Sequence, residues 1–189
     1  MRKGVSERKT KEVDISVEVD LDSSGYEIET GIPFFNHMLE SFAKHSGIRL
    51  IVNAKGDIEV DEHHTVEDTA IVMGEAIKQA LGDKKGIARF GDAIIPMDES
   101  VAICAIDISG RGVFNFEGSM EGEVGGLKAE NFIHFFDTLC RNAGINVYMS
   151  IKGKNLHHMM EAGFKSFGVA FRKAITIVDE EIRSTKGIL

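Results

Sequence analysis

HHTVE at residues 63–67 returns as HHMME at residues 157–161. Two adjacent histidines followed by a glutamate three residues beyond the second form an unusual group, and this chain of 189 residues carries it twice. The surroundings repeat as well. His37 and His134 lie 97 positions apart, as do Gly47 and Gly144, and Lys55-Gly56 and Lys152-Gly153. His63 and His157 lie 94 apart, as do Glu67 and Glu161, so the second copy lacks three residues just before its histidine pair. This is an internal duplication, and it predicts two similar α+β halves of β-α-β-α type, residues 1–86 and 87–189. No linker rich in Pro, Gly or Ser separates them, so the halves should fuse into one compact domain.

The alternation in EVDISVEVDLD (12–22) reads as a half-buried strand, with SSG (23–25) as the turn and YEIET pairing back as a hairpin. Pro33 suits the first turn of a helix that closes at Gly47. IRLIVNAKG and DIEVDEH read as strands, and TVEDTAIVMGEAIKQALGD as an amphipathic helix ending near Gly82. The second half follows the same plan. Three strand-like runs fill ARFGDAIIPMDESVAICAIDISGRGVFNFEG, and GSMEGEVGG (118–126) is a turn or loop. A helix then closes at Gly144, INVYMSIKG is a strand, and a long helix runs through HHMMEAGFKSFGVAFRKAITIVDEEI. The tail RSTKGIL should be exposed or docked on a partner.

A hydrophobic content of 43% suffices for a real core. The net charge of −8 argues against nucleic acid or an anionic membrane as the main partner. No apolar run approaches the roughly 20 residues of a membrane span. The N-terminus MRKGVSERKTKEV lacks the apolar stretch of a signal peptide. Cys104 and Cys140 form no CxxC pair and read as free, buried thiols in a reducing cytosol, so the expected location is cytoplasmic.

All seven histidines (His37, His45, His63, His64, His134, His157 and His158) fall in the duplicated helix segments or at their ends. In HHxxE at a helix start, both histidines share a helix face with the glutamate. Adjacent side chains nonetheless point about 100° apart. One histidine can therefore share an ion with the glutamate while its neighbour reaches a second ion. Two facing copies would build two equivalent metal sites, with His37 and His134 each adding an imidazole. Imidazole and carboxylate donors suit Mn, Fe, Zn, Co or Ni rather than Ca or Mg. Several ligands without a thiolate argue against a structural zinc site. A single HHxxE is equally compatible with helix N-terminal capping; it is the matched repetition that favours metal.

GIPFFNHMLESFAKHSG, DEHHTVEDTAI, RFGDAIIPMDES, DISGRG, LHHMMEAGFKSF and RSTKGIL together resemble the imidazoleglycerol-phosphate dehydratase family, in its monofunctional form. The six blocks cover nearly the whole chain, in order. The resemblance implies an α+β fold of the ribosomal protein S5 domain 2-like kind, with two four-stranded sheets enclosing paired helices. It implies a hydro-lyase of histidine biosynthesis, a homo-oligomer of 24 subunits built from trimers, and two Mn²⁺ per active site at subunit interfaces. Fe, Co or Zn are possible substitutes. By the family's pattern His37, His64, His157 and Glu161 serve one manganese, and His63, Glu67, His134 and His158 the other. Asn36, Glu62 and Leu156 depart from the family's usual residues without removing a ligand; they bear on the hydrogen bonds that orient the histidines.

The substrate so implied is an imidazole ring bearing a glycerol phosphate chain. A side-chain carbon must lose a proton with no carbonyl beside it, so the ring itself must be the electron reservoir. Held as imidazolate by metal at both nitrogens, it can expel the hydroxyl through a diazafulvene-like intermediate; the resulting enol becomes the ketone of imidazole acetol phosphate. Proton transfer needs an acid or base. The resemblance places Glu12 there first, although its spacing alone reads as an exposed strand carboxylate. Asp98 and Glu99 are second candidates, with turn chemistry as the other reading. His45 aligns with a substrate-contacting histidine; otherwise it is a cation at a helix C-terminus. Arg89, Arg111, Lys165, Ser184, Thr185 and Lys186 match positions that bind substrate, alongside His37, His63, Glu67 and His157. Arginine suits bidentate phosphate binding. Two other readings remain: a dinuclear metallohydrolase, whose aspartate-rich bridging set is not evident, and a metal-binding assembly protein, which has no use for Arg89, Arg111 and Lys186.

Overall fold

The computed structural model describes residues 1–189. Its first sheet takes β1 (Lys3–Lys9), β2 (Val13–Asp20), β3 (Gly25–Glu29) and β4 (Arg49–Gly56); helices α1 (Pro33–Ser46) and α2 (His63–Leu81) accompany them. The second sheet takes β5 (Phe90–Met97), β6 (Ser100–Asp107), β7 (Val113–Glu117) and, after a two-residue hairpin of β8 (Glu123–Val124) and β9 (Leu127–Lys128), β10 (Asn146–Lys152). Helices α3 (Ala129–Ala143) and α4 (Leu156–Ile175) belong to this stretch. The sheet orders are β1-β2-β4-β3 and β5-β6-β10-β7, the same mixed topology twice.

Alternation builds each sheet face. Val13, Ile15, Val17 and Val19 of β2 point inward and are buried, while Asp14 and Glu18 face out. The helices lie on the inner faces and pair across the duplication. α2 covers β1 and β2 and packs on α3; α4 covers β5 and β6 and packs on α1. Gly47 and Gly144 close α1 and α3 in the left-handed conformation, at φ 71° and 68°, where a side chain would be strained.

Four expectations from the sequence are corrected. The YEIET segment does not form a hairpin with the preceding strand. β3 pairs parallel with β4, because β1 and β4 occupy both edges of β2 and α1 carries the chain across. DIEVDEH is not a strand: β4 already has two neighbours, and residues 57–62 turn toward α2, leaving Ile58 and Val60 exposed. The last helix stops at Ile175, where the β-branched run Ile175–Val178 leaves the helix; Ile177 bridges Ile87, and the Asp179–Arg183 stretch is not helical. The GSMEGEVGG segment contributes one strand of the small hairpin.

β1 was not expected as a strand at all. Its inward positions are Gly4 and Ser6, which carry no apolar signal. A Cβ on Gly4 would sit 1.9 Å from the carbonyl oxygen of Ala76, and one on Gly91, 87 positions later, 1.9 Å from that of Ala170. Each glycine thus lets a helix backbone rest on a sheet edge. Gly91→Ala should therefore force the backbone apart at a cost of about 1–3 kcal/mol, read as a lower urea midpoint.

Candidate metal centre

Two ligand clusters emerge from the helix pairing. His37 from α1 meets His157 and Glu161 from α4; His134 from α3 meets His63 and Glu67 from α2. In each cluster one donor atom per residue lies within 4.8 Å of the others. Glu67 offers one oxygen to each histidine, 3.5 Å from His63 Nε2 and 3.2 Å from His134 Nε2. Glu161 does the same, 3.3 Å from His157 Nε2 and 3.8 Å from His37 Nε2. The i,i+4 spacing on α2 and α4 sets the His63–Glu67 and His157–Glu161 approaches, and the packing of α1 on α4 and α3 on α2 brings in His37 and His134.

The adjacent histidines diverge as the helix geometry requires. The rings of His63 and His64 are 6.2 Å apart at 76°, and those of His157 and His158 5.9 Å apart at 79°. His64 and His158 consequently belong to neither cluster of their own chain. His64 Nδ1 lies 3.2 Å from both oxygens of Asp57 and 3.9 Å from Glu12. The Asp57 hydrogen bond raises the His64 pKa, with Glu12 adding to it. His158 Nδ1 lies 2.8 Å from Glu99 Oε2, and its Nε2 3.6 Å from Asp98, which turns the chain at φ 49°. That hydrogen bond raises the His158 pKa and holds Glu99 well below the usual carboxylate range.

Further polar groups fix the cluster histidines. Asn131, 2% exposed, donates its amide N–H to Glu62 Oε1 at 2.8 Å and turns its oxygen to His63 Nδ1, also at 2.8 Å. His63 Nδ1 is therefore the donor, and Nε2 keeps its lone pair. Lys128 pairs with Asp61 and Glu62, and its hydrogen bond helps hold Asp61 down to about 2. At His157 the matching support is an aromatic ring, Phe34 at 4.9 Å. The sequence reading missed Asn131, Lys128 and Asp57. Asn131 sits three residues before His134, a helical spacing that gave a usable signal; Asp57 gave none.

Asn36, flagged as a departure, does not touch a histidine. Its oxygen accepts from the Thr30 amide and hydroxyl. Glu62 does bear on the site through Asn131.

The donor set fits divalent transition-metal ions. His134 Nε2 is buried without a hydrogen-bond partner, since its approach to Glu67 lacks hydrogen-bond geometry. A buried orphan nitrogen aimed at a carboxylate shared by two imidazoles is what a metal ion would satisfy. Glu161 carries a net lowered pKa: burial works upward, but the Lys165 hydrogen bond at 2.8 Å and the charges of Lys165, His37 and His157 outweigh it.

The remaining expected residues fall into two groups. His45 and Lys165 line an open cleft of about 220 Å³ with His37 and Glu161. Burial, then the Lys165 charge, lowers the His45 pKa. A larger cleft of about 460 Å³ beside the β8–β9 hairpin is lined by no histidine, serine, threonine or cysteine. Arg89 lies elsewhere. It donates to Asp107 at 2.7 and 3.3 Å and to the Arg183 carbonyl at 2.7 Å, so it is tied to the start of the tail. Ser184, Thr185 and Lys186 follow in that tail, and the Arg111 loop borders its end, where a Cβ on Gly110 would lie 3.0 Å from Leu189. No hydrogen bond or ion pair joins Arg89, Arg111 or the tail to either cluster. Cys104 and Cys140 are free and buried, and burial pushes both thiols up.

Fold and site together define a class: an internally duplicated α+β chain with paired His-Glu clusters, candidate metal sites, built between its halves. The family model described as Imidazoleglycerol-phosphate dehydratase matches residues 30–171, and the chain belongs to that family. Proteins of that name from Methanococcoides burtonii and Archaeoglobus fulgidus are each 50% identical to it. The first match covers 100% of both chains, the second 96% of this chain and 97% of the relative. The crystal structure of the Pyrococcus furiosus enzyme superposes with a TM-score of 0.84 at 34% identity, covering 97% of this chain and 99% of that one. The Staphylococcus aureus enzyme gives 0.83 at 35%, covering 92% and 99%.

Proposed function

We infer that this chain is a hydro-lyase that dehydrates imidazole glycerol phosphate to imidazole acetol phosphate in histidine biosynthesis. The carrying observation is the mirrored pair of His₂Glu clusters, together with family membership along the full chain. Two Mn²⁺ ions, or Fe, Co or Zn in their place, would be held by His37, His157 and Glu161 with the partner subunit's His64, and by His63, Glu67 and His134 with the partner subunit's His158. The divergence of His64 and His158 from their own clusters supports that division. When bound, such ions supply Lewis acidity to the substrate's imidazole nitrogens.

The chain's own residues do the rest. Glu12 takes the proton from the second side-chain carbon, next to the one that loses its hydroxyl, so that the enol forms between them; its side chain is 55% exposed and its carboxylate makes no hydrogen bond, so it is free to move. His45 and Lys165 hold the substrate beside Glu161. Arg89, Arg111, Ser184, Thr185 and Lys186 bind the phosphate, with the Arg89–Arg183 hydrogen bond keeping tail and arginine together. These groups lie apart in one chain, which supports active sites between subunits; the assembly proposed is the homo-oligomer of 24 that the family resemblance implies. Ile94 and Ile103, paired and exposed on the outer face of the second sheet, supply apolar surface for such contacts. No helix is long and apolar enough to cross a membrane; the cytoplasm is the proposed location, in keeping with two free thiols.

The deciding assay adds imidazole glycerol phosphate to Mn²⁺-loaded protein and follows imidazole acetol phosphate, beside a chelator-treated control. Turnover in the first and its loss in the second are expected. Absence of turnover with metal bound and the assembly intact would overturn the reading.

A further inference from the structure

The two halves treat equivalent carboxylates differently. β2 and β6 are offset by 87 positions, so Glu12 and Glu99, each just before its strand, are counterparts. Glu99 is fully engaged. It accepts from His158 Nδ1 at 2.8 Å, the Asn155 amide at 2.8 Å, the Lys154 amide at 3.2 Å and the Ser100 hydroxyl at 2.8 Å. Glu12 stands 3.9 Å from His64, beyond hydrogen-bond reach.

Its place at His64 is taken by Asp57, with both oxygens at 3.2 Å. Asp57 opens the six-residue connection 57–62 between β4 and α2; the corresponding connection, 153–155, has three residues. The longer loop is therefore where the orienting carboxylate comes from. In the short loop the backbone amides of Lys154 and Asn155 bind Glu99 in place.

We propose that Asp57 and Glu99 are positioning residues, each fixing the Nδ1–H of the histidine that its chain extends beyond its own cluster, and that the three extra residues before α2 release Glu12 from that duty for proton transfer. A carboxylate only accepts, so each histidine must donate from Nδ1 and present Nε2 outward. A histidine so held is a better and better-aimed ligand. This rests on the metal reading above, and on Glu12 as the proton acceptor.

The test is Mn²⁺ binding, measured by the electron paramagnetic resonance signal of free Mn²⁺, for the intact assembly and for Asp57→Asn, Glu99→Gln and Glu12→Gln. Asp57→Asn and Glu99→Gln should each weaken binding of one ion per chain by about 10–100-fold. Asp57→Glu, which restores a carboxylate, should recover most of the loss at its site. Glu12→Gln should leave Mn²⁺ affinity within about twofold while turnover collapses, a separation that distinguishes a group acting on substrate from one acting on a ligand. Wild-type affinity in both Asp57→Asn and Glu99→Gln would overturn the positioning roles. Metal loss in Glu12→Gln comparable to that in Glu99→Gln would overturn the division of labour. A wild-type protein that binds no Mn²⁺ would instead sink the metal reading itself, which separates the two failures.

Discussion

Replacing Glu161 with glutamine is expected to lower kcat/KM by about 10³-fold or more and to remove one of the two ions proposed per chain. Glutamine keeps the shape and loses the charge. Glu161 is 8% exposed and lies between His37 and His157, so no other anion on this chain can substitute for it there. Lys165, now 2.8 Å from the carboxylate, would face two imidazoles without a counter-charge. Glu67→Gln is the matched experiment on the other cluster, where His63 and His134 flank the carboxylate. Metal content by atomic absorption should fall from two ions to one in each variant and to none in the double. Full metal content with full turnover in Glu161→Gln would refute the cluster as a binding site.

The second large effect concerns stability. Phe136 on α3 sits among five phenylalanine rings, with centroids 4.8 Å away for Phe164, 5.1 Å for Phe132 and Phe167, 5.3 Å for Phe135 and 5.6 Å for Phe114. Phe164 and Phe167 belong to α4, so this cluster joins the two helices of the second half as well as the helix to its sheet through Phe114. Phe136→Ala removes a ring that has no solvent access and leaves a cavity that five rigid neighbours cannot collapse into. A loss of about 3–5 kcal/mol is expected in urea unfolding of the chelator-treated protein, where metal binding adds nothing to the folded state. A loss below about 1 kcal/mol would show that the rings repack without a cavity.

The duplication was legible because histidine is rare and the offsets agree at several unrelated residues. The helices were legible through Pro33, Gly47 and Gly144, whose backbone roles the structure repeats. The split of each histidine pair followed from helical angles alone. What stayed hidden depends on neighbours distant in sequence. β1 was invisible because its inward residues, Gly4 and Ser6, are chosen for closeness to α2: Gly4 for the backbone of Ala76, Ser6 for a 2.6 Å hydrogen bond to Glu75. The partner of β3 depended on which edges of β2 were already taken. Asp57 lies seven residues before His64, in a segment that alternates like a strand, and only the folded turn brings the two together.

Because α1 pairs with α4 and α2 with α3, each His-Glu cluster draws its third residue from the opposite half. A half-length chain would carry two thirds of one cluster and one third of the other, and could complete neither alone. Two identical half-chains, swapping helices, would complete both, but any change in one cluster would appear in the other. Joining the halves in one polypeptide removes that coupling. One end can then lengthen its loop and leave the Glu12 carboxylate unbonded, while the other keeps Glu99 fastened to a histidine.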